Sequence, residues 1–181
     1  MDKLVLVFML AVGFAVVCSI LMLVSKRRAQ SEDKVLHEYF LMGLSGLMAK
    51  LAMADGKVTG DEVDVATGFF NGMKISESEK ALCIGNFIKA RRDGLTARDH
   101  SRRFLAYGNP VACEFLYSLL WRLSSADGVL DPGEDKLLEE IALDLGLGRP
   151  VYERAKAGER PSFDSASLRA CGVPASLAAL A

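Results

Sequence analysis

Two stretches decide how the chain is read: ADGKVTGDE at Ala54–Glu62 and ADGVLDPGE at Ala126–Glu134, nearly the same phrase written twice, 72 residues apart. At that offset the match runs on. Val65 meets Leu137, Phe69 meets Ile141 and Met73 meets Leu145. Each copy reads as an apolar helix, an Asp-Gly break and an amphipathic helix. An internal duplication of this kind predicts two helical hairpins related by an approximate two-fold axis.

Much of the phrase is turn and cap chemistry. Gly56 and Gly128 suit the left-handed residue that ends a helix. Thr59 and Asp131 are favoured N-caps, Glu62 and Glu134 fall at N3, and Pro132 falls at N1. Asp55 and Asp127 are left over, each at a helix C-terminus where the dipole opposes an anion. Asp is also common in Asp-Gly turns. The Asp-to-Glu spacing matches positions 5 and 12 of an EF-hand loop, but positions 1 and 3 are Leu51 and Met53 in one copy and Leu123 and Ser125 in the other. Neither loop can close alone around calcium. Cap and turn chemistry is the first reading, and a cation site is the second.

Working outward, the chain reads as helix after helix. Val35–Ala54 is apolar nearly all round, which marks a buried central helix, and the stretch after Asn109-Pro110 reads the same way through Phe115, Leu116, Leu119 and Leu120. Between them lie an amphipathic helix at Gly60–Gly72, a helix opened by the capping box Ser76–Glu79, and a shorter one from about Ala97 to Tyr107. Asp131-Pro132 opens another, and a last short helix starts near Pro150. No run alternates as a strand would. The sequence therefore predicts an all-α protein with a bundle of about seven helices over residues 29–158. Residues 159–181, rich in Pro, Ser and Ala, read as a separate tail.

Leu4–Val24 is a run of 21 residues without charge, and at about 1.5 Å per residue it reaches roughly 30 Å, the width of a hydrocarbon core. A cleaved signal peptide would want a positive start, a shorter run and a small-x-small cleavage site. Here Asp2-Lys3 precedes the run and Lys26-Arg27-Arg28 follows it. The expectation is an N-terminal transmembrane helix within an anchor region at residues 1–28. Positive residues stay in the cytoplasm, so the N-terminus would point outward from the inner membrane and the helical domain would lie in the cytoplasm. Residues 29–181 then hold 18 Lys and Arg against 22 Asp and Glu, which gives no case for nucleic acid. The cysteines form no CxxC pair, so neither a zinc site nor a disulfide framework is indicated.

The doubled ADG-x-[VL]-x-x-x-E phrase on paired helices resembles the TerB-like (tellurite-resistance) domain. With the apolar run in front, the chain resembles the front part of membrane-anchored DnaJ-like co-chaperones. The resemblance covers about residues 1–158. It implies a metal site on the acidic residues Asp55, Glu62, Asp127 and Glu134, holding a divalent cation that the residues do not specify. It also implies a stress-linked scaffold with a protein partner the sequence does not name, with membrane lipid beside it, and dimers made through the anchor. The run itself offers only Gly13 and Ser19 as small residues and no GxxxG. The tail resembles the opening of a J-domain at Gly172-Val173 and Ala175-Ser176, with Cys171 in place of Leu. The His-Pro-Asp motif of J-domains is absent from these residues, where the only histidines are His37 and His100. The alternative reading is thus a truncated co-chaperone without a working J-domain.

One basic patch stands out: Lys89, Arg91, Arg92, Arg98, Arg102 and Arg103, interrupted only by Asp93 and Asp99. It reads first as a solvated helix face and second as a contact for anionic headgroups. Trp121, Phe115 and Tyr117 read as core. No serine elbow, phosphate loop or nucleophile–base pair appears, so the chain reads as a binding protein rather than an enzyme.

Overall fold

The computed structural model describes residues 22, 34–54, 60–106, 108–125, 130–159 and 161–179, with backbone alone at 60–63 and 65. The chain divides into two units, Met1–Val35 and Leu36–Ala181. The second unit carries the fold. Helix α1 covers residues 34–52. It is followed by α2 (Gly60–Gly72), α3 (Glu77–Ala90), α4 (Ala97–Leu105), α5 (Pro110–Ser124), α6 (Pro132–Asp144), α7 (Arg149–Lys156), α8 (Ser165–Ala170) and α9 (Ala175–Ala178). Among the described residues there is no strand.

The starts of these helices follow from local chemistry. Ser76 and Glu79 cap α3 reciprocally, and Thr96 and Asp99 do the same for α4. Asn109 accepts from the Ala112 amide at 2.9 Å, with Pro110 next to it at the start of α5. Each such cap satisfies amide donors the helix cannot, worth about 1 kcal/mol.

α1 and α5 form the centre. Phe40, Leu41, Leu44, Leu47, Met48 and Ala49 are buried on α1, and Ala112, Cys113, Phe115, Leu116, Leu119 and Leu120 on α5. Each fully buried Leu or Phe contributes about 1.5–3 kcal/mol. Phe40 joins the helices around it, edge-on to Phe104 at 5.7 Å and stacked on Phe115 at 6.1 Å. The duplication is visible in burial. Leu41 and Cys113, Leu44 and Leu116, Ala66 and Leu138, Phe70 and Ala142, and Met73 and Leu145 are buried pair by pair at the sequence offset.

The expected fold class needs one correction. Among the described residues no helix is long and apolar enough to cross a membrane. The described residues therefore support an all-α domain and no membrane-spanning helix, and the helix expected at Leu4–Val24 lies, but for Met22, outside them. Run length and hydropathy state what a helix would tolerate, not that it spans lipid. α1 and α5 illustrate the point, since both are apolar nearly all round and both are buried in protein.

The sequence reading also stops one stretch early. α8 and α9 lie in the segment read as a tail, yet Leu168, Val173, Leu177 and Ala178 are buried with the core. Phe163 meets Phe115 edge-on at 5.2 Å. α8 ends in a Schellman turn, with the Val173 amide bonded to the Leu168 carbonyl at 3.1 Å across Gly172 at φ +82°. A Cβ on Gly172 would lie 2.4 Å from the Cβ of Leu36, so glycine is required twice over.

Candidate functional site

The two copies of the repeated phrase meet through their backbones. α1 closes with the Ala54 amide bonded to the Leu51 carbonyl at 2.9 Å. α6 opens with Asp131 Oδ1 accepting from the Gly133 amide at 2.7 Å and Glu134 Oε2 accepting from the Asp131 amide at 3.3 Å. A Cβ on Gly133 would lie 2.7 Å from the Ala54 carbonyl oxygen, so the end of α1 sits against the start of α6. Of the sequence-derived site residues, Asp55 and Asp127 lie outside the described residues, and Glu62 is described in backbone only. Glu134 is described, and its carboxylate serves the α6 cap. Among the described residues no group of His, Cys, Asp and Glu side chains could hold a metal ion. Among the described residues, what comes together there is backbone: the Ala54 carbonyl and Gly133.

A concavity lies elsewhere, between α5 and α7. Glu114, Tyr117, Ser118 and Trp121 share one face of α5 by their three- and four-residue spacing, and Val151, Arg154 and Ala155 share one face of α7. With Phe163 from the strap after α7 they enclose a groove of about 430 Å³. Tyr117 and Trp121 line it 6.4 Å apart, and Trp121 in turn packs edge-on against Tyr152 at 5.9 Å. Arg154 and Glu114 pair across its rim at 3.4 Å.

α7 is tied in turn to α6. Asp135 on α6 accepts from Tyr152 Oη at 2.9 Å and from Lys156 Nζ at 2.6 Å, fixing α7 on α6. The Lys156 hydrogen bond, with help from Tyr152 and against burial, holds the Asp135 carboxyl below the usual range. Burial, chiefly, pushes the Tyr117 hydroxyl up. That hydroxyl has no hydrogen-bond partner among the described groups. The sequence expectation of Phe115, Tyr117 and Trp121 in the core holds for Phe115 and Tyr117, while Trp121 is half-buried and lines the groove. The paired (i, i+4) spacings Tyr117–Trp121 and Val151–Ala155 were the available signal.

A third polar cluster ties α1 to the α3–α4 turn. Lys50 Nζ donates to the Ala90 carbonyl and to Asp93 Oδ1, the latter at 3.1 Å. His100 Nε2 stands 3.4 Å from Asp93 Oδ2, and its ring packs on Gly46. Burial would raise the Asp93 carboxyl, but the Leu95 amide, Lys50 and His100 together bring it below its usual value. His100 is lowered, first by burial and then by Lys50 and Arg103, against the pull of Asp93.

The family model described as tellurite resistance protein TerB matches residues 41–157, more than half of the chain. The chain belongs to the TerB family. Similar curated proteins include the co-chaperone protein DjlA of Photobacterium profundum, 26% identical over 138 residues, covering 75% of this chain and 49% of that one. DjlA of Aliivibrio fischeri is 24% identical over 126 residues, covering 68% and 44%. DjlA of Escherichia coli (strain K12) is 23% identical over 110 residues, covering 60% and 41%. The chain thus spans about half the length of the curated relatives it matches. No solved structure matches. The TerB match takes in α5 and α7, two sides of the groove, and ends before the strap that supplies Phe163.

Proposed function

We propose that this TerB protein is a binding module related to the co-chaperones it resembles, and that the α5–α7 groove receives an apolar, aromatic-bearing segment of a partner polypeptide. The observation that carries this is the groove itself: about 430 Å³, with Tyr117, Trp121, Val151 and Phe163 along its walls. That size and lining suit a few side chains of a peptide. Glu114 and Arg154 pair across the rim, and Arg122 and Glu159 add one charge of each sign to the lining, so the site reads shape and apolarity rather than net charge. A link to stress response rests on the family's description and belongs to the same proposal. The test is photo-cross-linking of the full chain to a reduced, carboxymethylated unfolded polypeptide. Probes at Ser118 and Ala155 are expected to give adducts that Trp121→Ala weakens. A probe at Leu143, 55% exposed on α6, should give none. Equal adducts from all three positions would overturn the proposal.

A second reading is a weak divalent-cation site bridging the repeated loops, favoured by the approach of Gly133 to Ala54. Neither loop supplies the six to eight oxygens calcium takes, so water must complete the shell. Melting of the wild-type chain and of Asp55→Asn/Asp127→Asn with Ca²⁺, Mg²⁺, Mn²⁺ or Zn²⁺ tests it. Equal shifts in the two proteins would leave the acids as turn residues.

A further inference from the structure

Charge on this molecule is not spread evenly. Outside the basic stretch the cations are mostly paired: Lys80 with Glu77, Arg149 with Glu139 and Glu153, Arg154 with Glu114, and Lys156 with Asp135; within it Arg98 alone is paired, with Asp144. At the corner where α3 turns into α4 the others are not. Lys89, Arg92, Arg102 and Arg103 are exposed, Arg91 is half-buried, and none of them makes an ion pair among the described residues. The two acids of the same stretch are already engaged. Asp93 is taken by Lys50, the Leu95 amide and His100, and Asp99 accepts from the Thr96 amide at 2.8 Å and its hydroxyl at 2.7 Å. Asp99 also lies close enough to Arg102 and Arg103 for their charges to lower its pKa, without neutralising the patch.

Two exposed apolar side chains flank these bases along the chain. Ile88, near the end of α3, is 41% exposed and stands beside Lys89, and Leu105 is 43% exposed at the end of the Arg98–Arg102 stripe of α4. Bases with long methylene stems beside exposed aliphatic residues fit an interface that is charged outside and apolar within. The aromatic rings of the stretch, Phe87 and Phe104, are buried at 2% and 5%, so no ring is offered for stacking on a nucleic acid base.

We infer that the α3–α4 corner is a docking surface for anionic phospholipid headgroups. The bases meet the phosphates, and Ile88 and Leu105 reach the acyl boundary. Each base near such a surface is worth about fivefold in binding, so losing three of them weakens docking roughly a hundredfold.

The readout is the acetylation rate of Lys89 relative to the exposed Lys74, measured by mass spectrometry. The full chain is mixed with vesicles of phosphatidylcholine alone or of phosphatidylcholine with phosphatidylglycerol. Lys89 is expected to slow roughly fivefold or more when phosphatidylglycerol is present, and to recover in high salt. Arg92→Gln/Arg102→Gln/Arg103→Gln should lose the protection at unchanged helicity and melting, and the matching Arg→Lys triple should keep it. Equal Lys89 rates on the two vesicles would overturn the inference. So would protection by an oligonucleotide without protection by vesicles, which would assign the corner to nucleic acid.

Discussion

Leu168→Ala separates a packed C-terminal segment from a separate tail. Leu168 is fully buried on α8, inside the cluster that also holds Phe40, Leu44 and Leu116. Removing a buried leucine to alanine costs about 2–5 kcal/mol, and α8 is short enough to relax, so the expected loss is about 3 kcal/mol. For a domain of this size that is roughly 6–12 °C in melting temperature, at about 2–4 °C per kcal/mol. Circular dichroism of the full chain reads it, with Ser162→Ala, an exposed change in the same segment, as the control expected to stay within about 0.5 kcal/mol. A double-mutant cycle of Phe115→Leu with Phe163→Leu should add a coupling of about 0.5–1.5 kcal/mol from their edge-on contact. If Leu168→Ala melts with Ser162→Ala, the segment is not part of the core and the groove loses its third wall.

Gly133→Ala is expected to destabilise by about 1–3 kcal/mol in a denaturant titration, because its Cβ would meet the Ala54 carbonyl at 2.7 Å. Gly68→Ala, with no atom within 4 Å inside α2, should stabilise by up to about 1 kcal/mol. Melting temperature should fall as pH drops below about 6.5, because unfolded His100 takes a proton that the buried, lowered His100 refuses. His100→Gln should flatten that slope. A second loss should follow below about pH 4, as the lowered carboxyls Asp93 and Asp135 are protonated at last. These 181 residues, which carry no His-Pro-Asp, should leave the ATPase rate of an Hsp70 unchanged in a coupled assay.

The helical domain was legible because its signals are local or repeated. The Ser76–Glu79 box, Asn109-Pro110 and Asp131-Pro132 each announce a helix start from a few residues, and each is a cap in the structure. The dense apolar runs around Leu44 and Leu116 could only be buried helices once strands were excluded. α8 and α9 were not legible. α8 turns a single leucine inward and α9 only Leu177 and Ala178, too few positions to show a period. Their burial comes from Leu36, Phe115 and the rest of the core, partners far off in sequence. The groove was hidden for the same reason: its walls come from α5, α7 and the strap, and no local pattern says that they face one another. The acidic phrase was legible as a repeat, and its loops do meet at Ala54 and Gly133.

Trp121 is the only tryptophan in the chain and it lines the groove, so its emission reports occupancy without a label. The full chain is titrated with a reduced, carboxymethylated unfolded polypeptide that lacks tryptophan, and binding is followed in parallel by anisotropy of a dye on that polypeptide. The expected result is a blue shift of Trp121 emission that saturates together with the anisotropy, with both signals weakened in Val151→Asp. Saturating anisotropy with unchanged Trp121 emission would show that the polypeptide binds elsewhere and would contradict the groove as the docking site.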